Sequence, residues 1–600
     1  MRRRGGVLGA VAMLAMAACT PQPGVQAVQS DALDPFVGET LEVDPETRLI
    51  TLDNGLVVYL RENNRPGGAA DMRLAINAGS ALEEPDQAGG AHFLEHMLFN
   101  GTEQFPGNDL IDVLRDFGME FGADLNAYTS YDETVYELSV PLSDPDNLGT
   151  GLDVLQQWLS AATIDDADVV EERGVVLDEW RVREETLQGR QSAVLDTMFL
   201  AGSVYDGHHP IGGEQQIEEM TAGPLRRFYD TWYRPDNAAV VVVGDIDLDE
   251  VEEMIHARFD DLAPRGDTPE RAALAIDRFT ETVVAVAADP DAVEAVAELT
   301  YPAPAVPLNS TGPMLDDLLV LLGFDMIANR LSDDVARGAD SVREASTSNN
   351  DSVRAIRAPS VWINADASKA AAAIDALLVE FERARRYGFD DNELARAVDV
   401  YRTSVQSDYE ARDTVQDRDH ADSMVGHFLV GSPIPDAETQ YETFSALLDS
   451  VTATAVAEAF DRFTAASAPH LFVGIPDDVD GVPSEAELTG QIEQLGEREI
   501  EPREATQAVG DELMAAPQPV AEESSEPFVS EPSYFLDATR LEFPNGAVVI
   551  LNPTDISDGY IAIDARSPGG LSVVPDEEVF AARYAPQAAA LSGVGELDQV

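Results

Sequence analysis

His92, Glu95 and His96, in the run His92-Phe93-Leu94-Glu95-His96, are the residues of this chain whose types and spacing best suit chemistry. Two histidines four apart on a helix project from one face, about one turn apart, so both imidazoles can reach a single ion. Glu95 points into the same sector without being needed as a ligand. From there its carboxylate can take a proton from a water that a bound zinc ion has acidified. The order H-x-x-E-H inverts the commoner H-E-x-x-H and is a known peptidase arrangement. Gly89-Gly90 before the run and Asn100-Gly101-Thr102 after it bound a short helix, and Phe93, Leu94, Met97, Leu98 and Phe99 make that helix a buried one.

Zinc needs at least one more protein ligand, with a position left open for water. The acidic stretch 165–185 offers Glu171, Glu172, Asp178, Glu179, Glu184 and Glu185. Glu172 and Glu179 are seven apart, two helical turns, and share a face. Chemistry alone does not choose among these carboxylates.

Strands must carry the helix. Residues 48–52 and 56–60 alternate around Asp53-Asn54-Gly55, a hairpin signal. A strand over 72–78 leads through Gly79-Ser80 to the metal helix. A helix around 108–117, a strand pair within 124–140 and a long helical region from about 166 follow. A buried strand at 238–243 and a helix at 248–259 close this unit. Strands and helices mix without strict alternation, so the expected class is α+β.

From about 270 to 498 a second unit repeats the flavour. It has a strand near 293–301, a helix from 314 to 331, a long helical stretch to about 463, and a strand at 471–475. His420 and His427 lie in it without a neighbouring carboxylate pattern and read as structural, as does the loop pair His208-His209. Residues 499–535, rich in Glu, Pro, Ala and Ser, read as a flexible linker. The run 541–551 then restates 50–60 around a second Asn-Gly turn. On that register Ala582, Ala585 and Pro586 fall where His92, Glu95 and His96 stand, so the second copy is expected to hold no metal. Residues 536–600 read as the start of a third domain, too short to bury its sheet face, and a truncated second half is expected.

The 600 residues suit several domains, and 44% hydrophobic residues supply their cores. A net charge of -73 repels phosphate backbones and argues against a nucleic-acid partner. A cleft favouring cationic peptides is compatible with it, as is a solvating surface suited to high salt. Arg2-Arg3-Arg4, the apolar run 7–18 and the single cysteine, Cys19, read as a signal peptide over 1–19 of the lipoprotein type, with Cys19 lipidated. Met16 at the third position before Cys19 leaves ordinary signal cleavage open. Residues 20–44 read as a tether, so contact with a membrane is expected only through a lipid anchor, in a bacterial envelope.

The chain resembles the pitrilysin/insulinase family of inverted-motif zinc peptidases, to which mitochondrial processing peptidase belongs. The resemblance rests on His92-Phe93-Leu94-Glu95-His96-Met97-Leu98-Phe99-Asn100-Gly101-Thr102, on Asp124-Leu125-Asn126-Ala127-Tyr128-Thr129-Ser130, and on Glu172-Arg173-Gly174-Val175-Val176-Leu177-Asp178-Glu179. Trp232-Tyr233-Arg234-Pro235-Asp236-Asn237 adds to it. It implies repeated two-domain halves, with a catalytic domain over 45–265 and a non-catalytic one over 270–498. It implies one zinc ion held by His92, His96 and Glu179, with Glu95 as general base. Glu172 joins the catalytic set as a supporting carboxylate, and Asn126 and Ala127 bind substrate backbone. A zinc endopeptidase acting on peptides or unfolded polypeptides is the implied activity. The alternative is a pitrilysin-like subunit that is non-catalytic, or active only with a partner chain or second half that closes the chamber. The Arg and Tyr side chains that assist catalysis in the family are expected beyond Val600.

Overall fold

The computed structural model describes residues 40–107, 109–120, 122–263, 265–266, 276, 279–350, 353–504, 524–528, 538–554, 561–567 and 570–590. The signal peptide, Cys19 and most of the tether lie outside them. The described chain forms two units, 1–505 and 506–600.

The first unit holds two α/β lobes. Lobe one contains strands β1 (Thr47–Thr51), β2 (Val57–Glu62), β3 (Ala69–Ile76), β4 (Leu125–Thr129), β5 (Thr134–Pro141) and β6 (Ala238–Gly244). Its helices are α1 (Gly90–Phe99), α2 (Asp109–Asp116), α3 (Pro145–Ser160), α4 (Asp166–Glu184), α5 (Leu187–Leu200), α6 (Glu214–Glu219), α7 (Ala222–Trp232) and α8 (Leu248–Phe259). The strands make one sheet in the order β1-β2-β6-β3-β5-β4. Only the β2–β6 pair is parallel. β6 reads AAVVVVG and is buried along its whole length, as a central strand covered on both faces must be. β4 is the opposite case: it ends the sheet, and one of its edges has no strand beside it among the described residues.

Lobe two contains β7 (Val283–Asp289), β8 (Ala295–Thr300), β9 (Ala303–Pro304), β10 (Glu344–Asn350), β11 (Ile356–Ala365) and β12 (His470–Pro476). Its helices are α9 (Thr311–Ala336), α10 (Ala370–Tyr387), α11 (Asp391–Glu410), α12 (Asp417–Val430), α13 (Ala437–Ser450), α14 (Ala453–Ala466) and α15 (Glu485–Gln494). The sheet runs β10-β11-β8-β12-β7, with β9 beside β11. Here sequence reading needs correction, because the stretch after residue 331 is not continuously helical. β10 and β11 form an antiparallel hairpin within it. β10 (EASTSNN) carries no apolar alternation, and β11 is buried almost throughout, so neither shows the period of two that marks a half-buried strand. The expected strand near 293–301 is β8, and β7, over 283–289, is a further strand that the sequence reading does not include.

Helix α12 of lobe two lies on the face of the first sheet turned away from α1. Ala421, Met424, Val425 and Leu429 pack with Tyr59, Ala75, Val135, Ala239, Val241 and Val243. The opposite face packs α1, α3, α7 and α8 into the core of lobe one. The first sheet is therefore covered on both sides within one unit.

The expected linker also needs correction. Residues 499–504 are bound to lobe two, where Arg503 pairs with Asp334 at 2.5 Å and with Glu380 at 3.5 Å. Residues 524–528 form β13 (Ser524–Phe528), antiparallel to β14 (Ala538–Glu542), which pairs with β15 (Val548–Leu551). The second unit also holds α16 (Val579–Ala590), which carries Ala582, Ala585 and Pro586. None of those three side chains can ligate a metal. Among the described residues no helix is long and apolar enough to cross a membrane.

Candidate metal centre

Helix α1 is fixed at both ends before it presents any chemistry. Its N-cap, Gly89, has φ +79° and offers no side chain, and a Cβ there would meet Ile211 O at 2.8 Å. The capping oxygens come instead from Glu83, which is buried. Its Oε2 accepts from Gly89 N at 3.0 Å and its Oε1 from Ala91 N at 2.8 Å. A carboxylate at a helix N-terminus satisfies amides that would otherwise be orphaned and suits the dipole. At the other end the Trp158 indole donates to Leu98 O at 2.9 Å. Phe93, Leu94, Met97 and Leu98 are fully buried, so the helix cannot rotate without emptying the core.

The face left over carries His92 and His96, whose ring centroids are 4.9 Å apart. Glu179 of α4 meets both: its Oε1 lies 3.5 Å from His92 Nε2 and its Oε2 3.2 Å from His96 Nε2. One ligand atom from each of the three residues falls within 4.8 Å of the others, the one such group among the described residues. A tetrahedral zinc ion with bonds of about 2.0–2.1 Å separates its ligand atoms by about 3.3 Å. Two imidazoles and a carboxylate are donors that suit that ion, and ligand atoms within 4.8 Å of one another bring them within reach of a single one.

The surroundings favour added positive charge. Hydrogen bonds to His92 and His96, with Arg183 at 2.6 Å, hold Glu179 far below the usual carboxylate range. Burial opposes protonation of His96, yet its bonds to Glu172 and Glu179 outweigh burial and raise it to about 9. Glu172 lies on the far side of that ring, its Oε1 2.9 Å from His96 Nδ1. Its Oε2 accepts from Asn100 Nδ2 at 2.7 Å, and against the opposing effect of burial these bonds keep it anionic. His92 Nδ1 is buried without a hydrogen-bond partner among the described residues.

Glu95 is buried on the same helix and accepts a hydrogen bond from Thr129 Oγ1 at 2.5 Å. Thr129 ends β4. Along that strand Leu125, Ala127 and Thr129 face α1, while Asn126 and Tyr128 face the other way and are exposed. Asn126 pairs with Glu137 and Ala127 with Tyr136 across β5. The structure thus gathers His92, Glu95, His96, Glu172 and Glu179 into one site and sets Asn126 and Ala127 on the sheet edge beside it. The other histidines stand elsewhere: His208 Nδ1 lies 2.9 Å from Ser80 O, and His427 Nδ1 lies 2.6 Å from the Tyr59 hydroxyl.

Sequence reading gave no role in the site to Glu83, Asn100 or Thr129. Thr129 could have been found from the period of two in β4, which puts it on the face of Ala127. Glu83 lies six residues before the N-cap and fits no local capping pattern, so it had no signal.

An inverted histidine pair on a buried helix, completed by a carboxylate from a later helix beside a mixed sheet, defines an insulinase-type peptidase domain. Residues 58–204 match the Insulinase (Peptidase family M16) domain and residues 219–401 the Peptidase M16 inactive domain, and the chain belongs to this family. It is similar to "Probable zinc protease PqqL" of Escherichia coli, 29% identical over 568 residues, covering 92% of this chain and 59% of the relative. It is also similar to "Zinc protease PQQL-like" of Arabidopsis thaliana, 26% identical over 531 residues, covering 88% of this chain and 52% of the relative. The crystal structure of the periplasmic protease PqqL from Escherichia coli superposes with a TM-score of 0.74 at 25% identity, over 93% of this chain and 61% of that one. The chain thus spans between half and two thirds of the length of these relatives.

Proposed function

We propose that this chain carries the metal centre of a zinc-dependent endopeptidase that hydrolyses peptides or unfolded polypeptides in a bacterial envelope. The observation that carries the reading is the convergence of His92, His96 and Glu179 beside a separate buried carboxylate, Glu95. A zinc ion held by those three residues would polarise the scissile carbonyl and acidify water. Glu95 takes the proton from the attacking water and passes it to the leaving amine. Thr129 orients that carboxylate by donating to its Oε2. Glu172 holds His96 by its outer nitrogen and acts through it rather than on substrate. An extended peptide laid along the open edge of β4, past Asn126 and Ala127, would gain backbone hydrogen bonds and lie beside Glu95.

The test is cleavage of an unfolded protein and of short quenched-fluorescence peptides by the purified chain. Chelation should abolish cleavage, and added zinc should restore it. Cleavage that survives removal of all metal contradicts the reading.

A further inference from the structure

The turn joining β4 to β5 is gripped from two sides. From lobe one, Ser80 N donates to Ser130 O at 3.1 Å and Ala81 N to Tyr131 O at 2.9 Å. From lobe two comes Arg354, in the loop between β10 and β11. Its backbone N donates to Asp132 Oδ2 at 2.8 Å. Its guanidinium donates to Glu133 Oε2 through Nε at 3.0 Å and Nη2 at 2.7 Å, and through Nη1 to Asn77 Oδ1 at 2.6 Å and Leu429 O at 3.2 Å. The Arg354 and Glu133 side chains are 14% and 16% exposed, so water screens this fork little. Asp132 is buried and takes a second bond from the Tyr205 hydroxyl at 3.0 Å.

That turn follows Thr129 directly. Ser130 N donates to Glu133 O at 2.8 Å, so the position of Glu133 fixes where β4 ends. A shift of the turn moves the Thr129 hydroxyl relative to Glu95 Oε2, and catalytic geometry is sensitive to displacements of about 1 Å. A second grip lies at α5, the helix after the one that bears Glu179: Arg190 pairs with Asp289 at 2.6 Å and Asp291 at 2.7 Å, both in lobe two.

We propose that Arg354 is a positioning residue through which lobe two holds the β4–β5 turn, and with it the Thr129–Glu95 hydrogen bond, in working register. The role in turnover rests on the peptidase reading above; the grip on the turn does not.

The test uses the full chain, with Arg354→Gln, Thr129→Val and the double variant. Peptide kcat and KM, zinc content, melting temperature and amide hydrogen exchange over 129–134 are compared. Arg354→Gln is expected to lower kcat about tenfold with KM within about twofold, at unchanged zinc content. Thr129→Val gives a similar loss, and the double variant loses little more, because both act through one hydrogen bond. Exchange over 129–134 accelerates in Arg354→Gln while β2 and β6 stay protected. Wild-type kcat in Arg354→Gln, full additivity, or faster exchange spread over both lobes overturns the proposal. If the wild-type chain cleaves nothing, the peptidase reading fails, and the exchange data alone decide whether Arg354 holds the turn.

Discussion

Glu172 Oε1 lies 2.9 Å from His96 Nδ1, on the side of the imidazole turned away from Glu179. A carboxylate held anionic can only accept, so this contact keeps a ring hydrogen on Nδ1, and a metal that displaced the Nε2 proton would meet a lone pair facing His92 and Glu179. Asn100 completes the set by donating to the other Glu172 oxygen. The choice between Glu172 and Glu179, left open by their shared helical face, follows from this geometry. Glu179 reaches both Nε2 atoms, and Glu172 reaches only the far nitrogen of one ring.

Glu172→Gln should therefore weaken zinc binding about 10- to 100-fold while leaving all three ligands in place. Competition against a chelator of known affinity measures this. Unchanged affinity would mean that the His96 tautomer is fixed without Glu172.

Glu83 supplies the cap that Gly89 cannot. Glu83→Ala would leave buried amides of α1 unsatisfied, at a cost of about 1–3 kcal/mol. Denaturant unfolding should show that loss, with weaker zinc binding because His92 lies in the first turn of the same helix. A variant as stable as wild type would show that the helix finds its cap elsewhere.

Stability should fall in mild acid through His470. Burial lowers its pKa from 6.5 to about 4, in a site where the ring stacks on Phe199 at 5.6 Å. The native state prefers the neutral ring, so between those values the unfolded chain binds more protons. This contribution is fully present above about pH 6.5 and is lost as pH falls toward 4, by roughly 1 kcal/mol per pH unit. His420, lowered to about 4 by burial and then by Arg61, adds in the same direction. Unfolding measured from pH 7 to 4 should be flatter in His470→Phe than in wild type, and an equal slope would contradict this.

The net charge of -73 should show itself in substrate capture. For a peptide rich in Arg and Lys, kcat/KM should fall as salt rises through about 0.1 M, and for an acidic peptide of equal length it should rise. The same salt response for both would assign the charge to solvation alone.

Much of lobe one was legible because its signals are local. The Asn-Gly turn, the continuous valines of β6 and the spacing of His92 and His96 each fit within a short window. The site beyond the histidines was legible only in part. Glu179 sits 83 residues after His96, and periodicity narrows the choice to one face of α4 without saying which carboxylate meets the rings. Arg354 and Glu83 had no signal, since what they hold lies across a lobe boundary or a loop. In lobe two the hairpin β10–β11 was hidden because β10 has Ala345 as its one apolar residue and β11 is buried almost throughout, so neither alternates.

If Glu95 moves the proton in a reaction staged by His92, His96 and Glu179, its amide analogue should keep the metal and lose the turnover. Zinc content and peptide turnover measured together on Glu95→Gln test that role most directly. Wild-type zinc content is expected with kcat reduced about 10²- to 10⁴-fold, because the amide keeps the shape and the Thr129 contact but cannot accept the proton. Turnover near that of wild type, with zinc bound, would contradict it.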